Sequence, residues 1–329
     1  MLVRARSLCV GAMLLLCPQH GLITSPTVLV SQEPRNVLSV NVELVNVTAT
    51  VIDDSGRSVQ DLAAEDFRVL EDGQEQKISF FSHDSNVAIS IGVLIDISGS
   101  LQDKLRQGLG TVREIASALS SDDEMFVIMF NSHVGVRQTF TSNPEEIQSS
   151  LRDVRAKGET AVYDAIAAGL HEMQAAKHQK QILLLVSDGF DTKSKINADE
   201  AANLLKHSQV LLYAIGIDDT DNSPTSRRRP RYRIYDYMLG KLTSAGGGRL
   251  IRLETGRNYD LRSLSQEFLA ELHQTYTLSY YPSIALDDRS WRNIEVRVMK
   301  PGVRLVGKKD KRYKHNMNDP DSALIGTSH

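Results

Sequence analysis

Ala88-Ile89-Ser90-Ile91-Gly92-Val93-Leu94-Ile95-Asp96-Ile97-Ser98-Gly99-Ser100 is the stretch that decides how the centre of this chain folds. A short apolar run that stops at a polar, glycine-containing turn has the pattern of a strand buried on both faces. A second run, Ile182-Leu183-Leu184-Leu185-Val186, ends the same way, just before Asp188 and Gly189. Between the two, Thr160 opens the helix-like stretch Thr160-Ala161-Val162-Tyr163-Asp164-Ala165-Ile166. Ligands of open parallel sheets bind outside the carboxyl ends of the strands, and all three loops can converge there. Asp96, Ser98, Ser100, Thr160 and Asp188 would then supply two carboxylates and three hydroxyls. That oxygen-only donor set suits a hard divalent cation such as Mg²⁺, with Mn²⁺ or Ca²⁺ as alternatives.

The segments around this stretch alternate between strand and helix patterns from about residue 86 to residue 272, as in an α/β fold with a doubly wound, mostly parallel sheet. Leu101, Leu105, Leu109, Val112, Ile115 and Leu119 recur at helical spacing after the first polar loop. Met125 to Phe130 reads as a buried strand, and Val136 to Phe140 as a short antiparallel edge strand. Val162, Ile166, Leu170 and Met173 mark the next helix. Asn197 with Glu200 has the spacing of a capping pair at the start of a helix running to Lys206. Val210 to Ile217 and Arg249 to Leu253 are the last two strands. Gly246 to Gly248 reads as a helix end, and Leu261, Leu264, Phe268 and Leu272 as the closing helix.

Asp-x-Ser-x-Ser at Asp96, Ser98 and Ser100, a distant Thr160 and a distant Asp188 together resemble the metal-ion-dependent adhesion site of von Willebrand factor type A domains. The resemblance implies that Ser98, Ser100 and Thr160 bind the cation directly, while Asp96 and Asp188 act through waters. It also implies one open coordination position, filled by an acidic side chain of a protein partner, and binding without catalysis. Few charged ligands leave a cation strongly electrophilic, in keeping with an incoming carboxylate.

The two ends of the chain read as all-β. Val40 to Val47 alternates apolar and polar residues, Thr48 to Ile52 continues it, and Phe67–Leu70 and Lys77–Phe81 flank the turn Glu71-Asp72-Gly73. Gln274 to Tyr281 and Arg292 to Val298 are strand-like again. One small β-sandwich built from residues 37–85 and 273–307, with the domain at 86–272 inserted, accounts for both ends, since neither is long enough to bury a core alone. Val51-x-Asp53, Gly56, Val59-x-Asp61-Leu62, Asp66-Phe67, Glu71-Asp72-Gly73 and the later Tyr276-x-Leu278-x-Tyr280 resemble the bacterial "VWFA-related" proteins. Residues 308–329 are polar and charged, the composition of a disordered tail.

With 329 residues, a formal charge of −3, 41% apolar and 24% charged residues, the chain has the composition of a soluble globular protein. That charge does not point to nucleic acid as a partner. Arg4 and Arg6 precede a short apolar run from Leu8 to Cys17 and then Pro18, as in a secretory signal peptide over residues 1–24. The run is too short to span a membrane, and the expected location is secreted or periplasmic. Both cysteines, Cys9 and Cys17, fall inside it, leaving no disulfide or cysteine nucleophile beyond.

Arg227-Arg228-Arg229-Pro230-Arg231-Tyr232-Arg233 is the sharpest charge run, read as a surface loop able to steer an anionic partner. Asp164 is read as a helix-start carboxylate or one behind the metal ligands, and Asp191 as a loop residue. No His pair has zinc-ligand spacing, and neither a Gly-x-Ser-x-Gly elbow nor a phosphate-loop signature occurs. Two other functions stay open. A metal-dependent hydrolase would need Asp96 or Asp188 as its base, although both are already assigned as ligands. A scaffold with a purely structural ion site would bind metal without any partner.

Overall fold

A computed structural model describes residues 44–54, 56–218, 230–254, 258–283, 291–307 and 310–314. The expected signal peptide lies outside the described residues. In chain order, β1 (Val45–Asp53), β2 (Phe67–Glu71), β3 (Gln74–Gln76) and β4 (Ile78–Asp84) come first. The central part follows as β5 (Ile89–Asp96), α1 (Leu105–Ala118), β6 (Glu124–Phe130), β7 (Val134–Thr141), α2 (Pro144–Ser150) and α3 (Val162–Glu172). It continues through β8 (Lys180–Ser187), α4 (Ala198–His207), β9 (Leu211–Asp218), α5 (Pro230–Ala245), β10 (Gly247–Glu254) and α6 (Leu261–His273). The described chain closes with β11 (Thr275–Tyr280), β12 (Trp291–Val298), β13 (Val303–Val306) and β14 (Asp310–Lys314).

The central sheet has the order β10-β9-β8-β5-β6-β7, parallel except for the antiparallel edge strand β7. Every residue of β5 is buried, because helices cover both faces. The two-residue period of a strand divides its side chains between those faces. Ile89, Ile91, Val93 and Ile95 pack with Ile182, Leu184 and Val186 under α1 and α6. Leu94 packs with Leu183 and Leu185 under α3, α4 and α5. The strand order reverses beside β5, whose C-terminal end therefore lies at the crevice where α/β sheets bind ligands.

Two further sheets, β13-β1-β11-β4 and β14-β12-β2-β3, each combine strands from both ends of the chain. Val47, Val51, Phe67, Val69, Tyr276, Leu278 and Ile294 share one apolar cluster between them. Ile52 and Val306 instead join the core under α1 and α6, so the β13-β1-β11-β4 sheet also packs against the central domain. Lys180 reinforces that junction by donating to Thr50 Oγ1 (3.2 Å), the Gln274 carbonyl (2.9 Å) and Thr275 Oγ1 (2.7 Å).

Several sequence readings need correction. β2 turns through Asp72 (φ 48°) and Gly73 (φ 83°) to pair with Gln74–Gln76, whereas Ile78–Asp84 crosses to the other sheet and pairs with β11. A two-residue turn with both φ positive fixes the nearest residues as the hairpin partner. The tail is not unstructured from residue 308: Asp310–Lys314 pairs antiparallel with β12 and covers its otherwise open edge. Pro230 to Arg233 form the first turn of α5, where proline is well tolerated, while Arg227–Arg229 lie outside the described residues. Gly246 closes α5, its N–H donating to the Leu242 carbonyl at 2.9 Å, whereas Gly247 and Gly248 already belong to β10.

Gly248 also marks a close approach of two backbones. A Cβ there would stand 2.1 Å from the Leu212 carbonyl oxygen on β9, and backbone cannot swing aside as a side-chain tip can. Gly248→Ala is therefore expected to destabilise the domain by about 3 kcal/mol. Urea denaturation followed by circular dichroism measures this. A loss under ~0.5 kcal/mol would show that the strands part without cost.

Candidate metal centre

β5 delivers Asp96 to the sheet rim, fully buried, and the chain then turns through Ser98 and Ser100. The Ser98 backbone N–H donates to Asp96 Oδ1 at 2.9 Å, and the two serine hydroxyls are 3.0 Å apart. Ser98 is buried and Ser100 exposed, so the cluster opens to solvent at Ser100. On the neighbouring strand β8, the Ser187 hydroxyl donates to Asp96 Oδ2 at 2.7 Å, and Gly189 N–H donates back to Ser187 Oγ at 2.9 Å. Gly189 adopts φ +81°, the left-handed conformation that lets the chain turn sharply after Asp188.

Backbone hydrogen bonds tie the three loops together. Gly99 N–H donates to the Gly158 carbonyl (3.0 Å) and Lys157 N–H to the Ile97 carbonyl (2.8 Å), joining the Ser98–Ser100 loop to the segment before Thr160. Thr192 and Lys193 N–H groups both donate to the Thr160 carbonyl, and Thr160 N–H donates to Thr192 Oγ1. The structure thus links Asp96, Ser98 and Ser100 directly, sets Asp188 beside Asp96, and holds Thr160 through its backbone. Thr160 is almost fully buried.

Asp164 and Asp191 do different work from the metal candidates. Asp191 lies in the loop after β8, as read from the sequence, and from there its Oδ2 accepts from the Val162 and Tyr163 N–H groups (2.7 and 3.3 Å), capping the start of α3. Asp164 Oδ1 accepts from the Lys195 and Ile196 N–H groups and fixes the turn before α4. The capping box at Asn197 and Glu200 is formed, with α4 ending one residue past Lys206.

The electrostatics of the cluster favour a cation. Burial pushes the Asp96 carboxyl up to about 6, against the bonds from Ser187 and Ser98, and the negative charge of Asp188 adds to the rise. A buried carboxylate beside a second carboxylate favours a nearby positive charge, and the surrounding hydroxyls are hard oxygen donors. The donor set therefore fits a divalent cation. Two polar groups escaped the sequence reading. Ser187 directly precedes Asp188 and holds Asp96. Lys104 lies buried with its Nζ 4.0 Å from Asp188 Oδ2.

Residues 90–228 match the von Willebrand factor type A domain family. That part of the chain has the von Willebrand factor type A fold. The A domain is 28% identical over 150 residues to integrin alpha-D of Homo sapiens, a match covering 43% of this chain and 13% of that protein's length. Among solved structures, BatB of Bacteroides thetaiotaomicron is similar at 18% identity, with a TM-score of 0.46, covering 56% of this chain and 98% of that one. A von Willebrand factor type A protein of Catenulispora acidiphila is similar at 12% identity and a TM-score of 0.46, covering 79% and 76% of the two chains. A domains are mostly non-catalytic modules of protein–protein interaction, and many bind a divalent metal. Among the described residues, no helix is long and apolar enough to cross a membrane.

Proposed function

We propose that the A domain binds an acidic protein partner through a divalent cation, Mg²⁺ in the first instance, held by Asp96, Ser98, Ser100, Thr160 and Asp188. The observation that carries this reading is the buried Asp96 carboxylate at the meeting point of three hydrogen-bonded loops, ringed by hydroxyls and beside a second carboxylate. Ser98, Ser100 and Thr160 would hold the cation directly, and Asp96 and Asp188 would orient its waters. A bound cation would supply a Lewis-acidic position for one carboxylate of the partner. The exposed edge at Ser100 is the approach for that group. The basic and apolar start of the chain supports an exported, secreted or periplasmic bacterial protein of the VWFA-related kind, with the strands of both chain ends as a sandwich around the A domain.

A peptide array that pairs each Glu or Asp peptide with its Gln or Asn isostere tests the reading, probed with the full chain in Mg²⁺ and in EDTA. The acidic peptides are expected to bind at least about tenfold better in Mg²⁺, a difference of ~1.4 kcal/mol, and to lose that advantage in EDTA. Equal binding of the neutral isosteres, or binding indifferent to the chelator, would contradict it.

A further inference from the structure

A lysine is almost never buried without a partner, and Lys104 is buried at the rim of the central sheet. Its side chain is 7% exposed and faces the 12% exposed carboxylate of Asp188 at 4.0 Å. Its backbone leaves little freedom to turn away. Lys104 N–H donates to the Leu101 carbonyl at 2.9 Å, and its own carbonyl accepts from Gln107 and Gly108 at 3.0 and 3.1 Å. The residue thus forms the start of α1, a place where the helix dipole disfavours positive charge. Helix stability does not account for a lysine there, whereas a carboxylate opposite favours one.

The charges of the cluster give this pairing a consequence. Whatever else it touches, Lys104 places one positive charge beside the two carboxylates Asp96 and Asp188. That charge opposes an arriving cation and favours a carboxylate that follows it. Without Lys104 the cation-loaded cluster would carry one positive charge less when the carboxylate arrives. We propose that Lys104 couples the two binding events, weakening the site for the cation alone and enlarging the gain that a carboxylate brings once the cation is bound. The inference rests on the reading of Asp96, Ser98, Ser100, Thr160 and Asp188 as a cation site. Lys104 acts as a positioning and charge-setting residue. It repels the incoming cation through space and competes for Asp188, and both effects are strong in a low-dielectric setting.

The test is calorimetric titration of the full chain with Mn²⁺, with and without saturating acetate as the carboxylate probe, and with acetamide as its neutral control. Wild type, Lys104→Met, Lys104→Gln, Lys104→Arg and Asp96→Ala are compared, each first checked for folding by circular dichroism. Lys104→Met and Lys104→Gln, which differ in polarity and so guard against one failing to fold, are expected to bind Mn²⁺ alone about tenfold more tightly than wild type. Acetate is expected to tighten Mn²⁺ binding in wild type, but by at least about threefold less in these two variants. Lys104→Arg, which keeps the charge, is expected to behave as wild type. Unchanged or weaker Mn²⁺ binding by the folded neutral variants, with wild-type binding still abolished by Asp96→Ala, would overturn the role of Lys104 alone. Mn²⁺ binding that Asp96→Ala leaves intact, or no binding by wild type even with acetate, would overturn the cation site and this inference with it.

Discussion

Glu271→Ala is expected to destabilise the protein by about 4 kcal/mol, more than any change at the metal centre, because it strands a partly buried cation and a fully buried phenol. Glu271 on α6 is fully buried, and Arg249 on β10 reaches it with two groups. Arg249 Nε donates at 3.1–3.2 Å to both carboxylate oxygens, and Nη2 donates to Oε2 at 2.6 Å. Tyr213 on β9 adds its hydroxyl, donating to Oε1 at 3.0 Å. Burial, then the charge of Glu271, pushes the Tyr213 phenol far above its ordinary range, so it stays a proton donor at any working pH. Removing the carboxylate leaves both donors without their acceptor and loosens α6 from the two strands beneath it. Urea denaturation measures the loss, and the double variant Glu271→Ala/Arg249→Ala is expected to cost clearly less than the two single changes summed. Additive costs would show that the three side chains do not act as a unit.

α6 runs directly into β11, so this pair also fastens the A domain to the sheets formed by the chain ends. His273 at its last turn bonds Asp123 (Nε2 to Oδ2, 2.8 Å) just before β6. Burial pushes the Asp123 carboxyl up, but the bonds from His273, Ile89 N–H and Ser120 N–H outweigh it and hold the group below the usual range. A depressed carboxylate contributes stability at neutral pH that is lost as the pH falls below about 4. The junction is thus built to hold at neutral pH.

The parts of the fold that sequence disclosed were those with long apolar signals. β5 and β8 are buried on both faces, which produces unbroken hydrophobic runs, and their polar ends stood out against those runs. The helices with apolar faces, α1, α3 and α6, showed the 3.6-residue period. β3, three polar residues long, carried no such signal and took its identity from the turn before it. α2 is too short for periodicity, although Asn143 before Pro144 is a readable start: its side chain accepts from Glu145 N–H. β14 is specified by the open edge of β12 and not by its own composition. At the site, the five oxygen-bearing residues were legible as a spaced pattern. Lys104 and Ser187 were not, since a single lysine or serine says nothing until the fold brings a carboxylate to it. The role of Asp191 depends on N–H groups 28 and 29 residues earlier, a distance across which no local rule operates.

Asp96→Ala is expected to lower divalent-cation affinity by on the order of 100-fold or more, while the domain stays folded. Loss of a group behind a metal's direct ligands already costs 10- to 100-fold, and in the proposed site Asp96 would combine that place with one of the two negative charges of the cluster. Its carboxylate also orders the others, taking the Ser98 N–H on one oxygen and the Ser187 hydroxyl on the other. Stability is expected to change little without cation, because the substitution removes an ionised group whose burial is already unfavourable. The loss of binding would then be a loss of the site and not of the fold.

The most direct measurement is calorimetric titration of Mg²⁺ into the full chain, wild type beside Asp96→Ala, in the presence of acetate. The account predicts saturable binding of one cation by wild type and none by the folded variant over the same range. Equal binding by both proteins, or a folded wild type that takes up no cation, would contradict it.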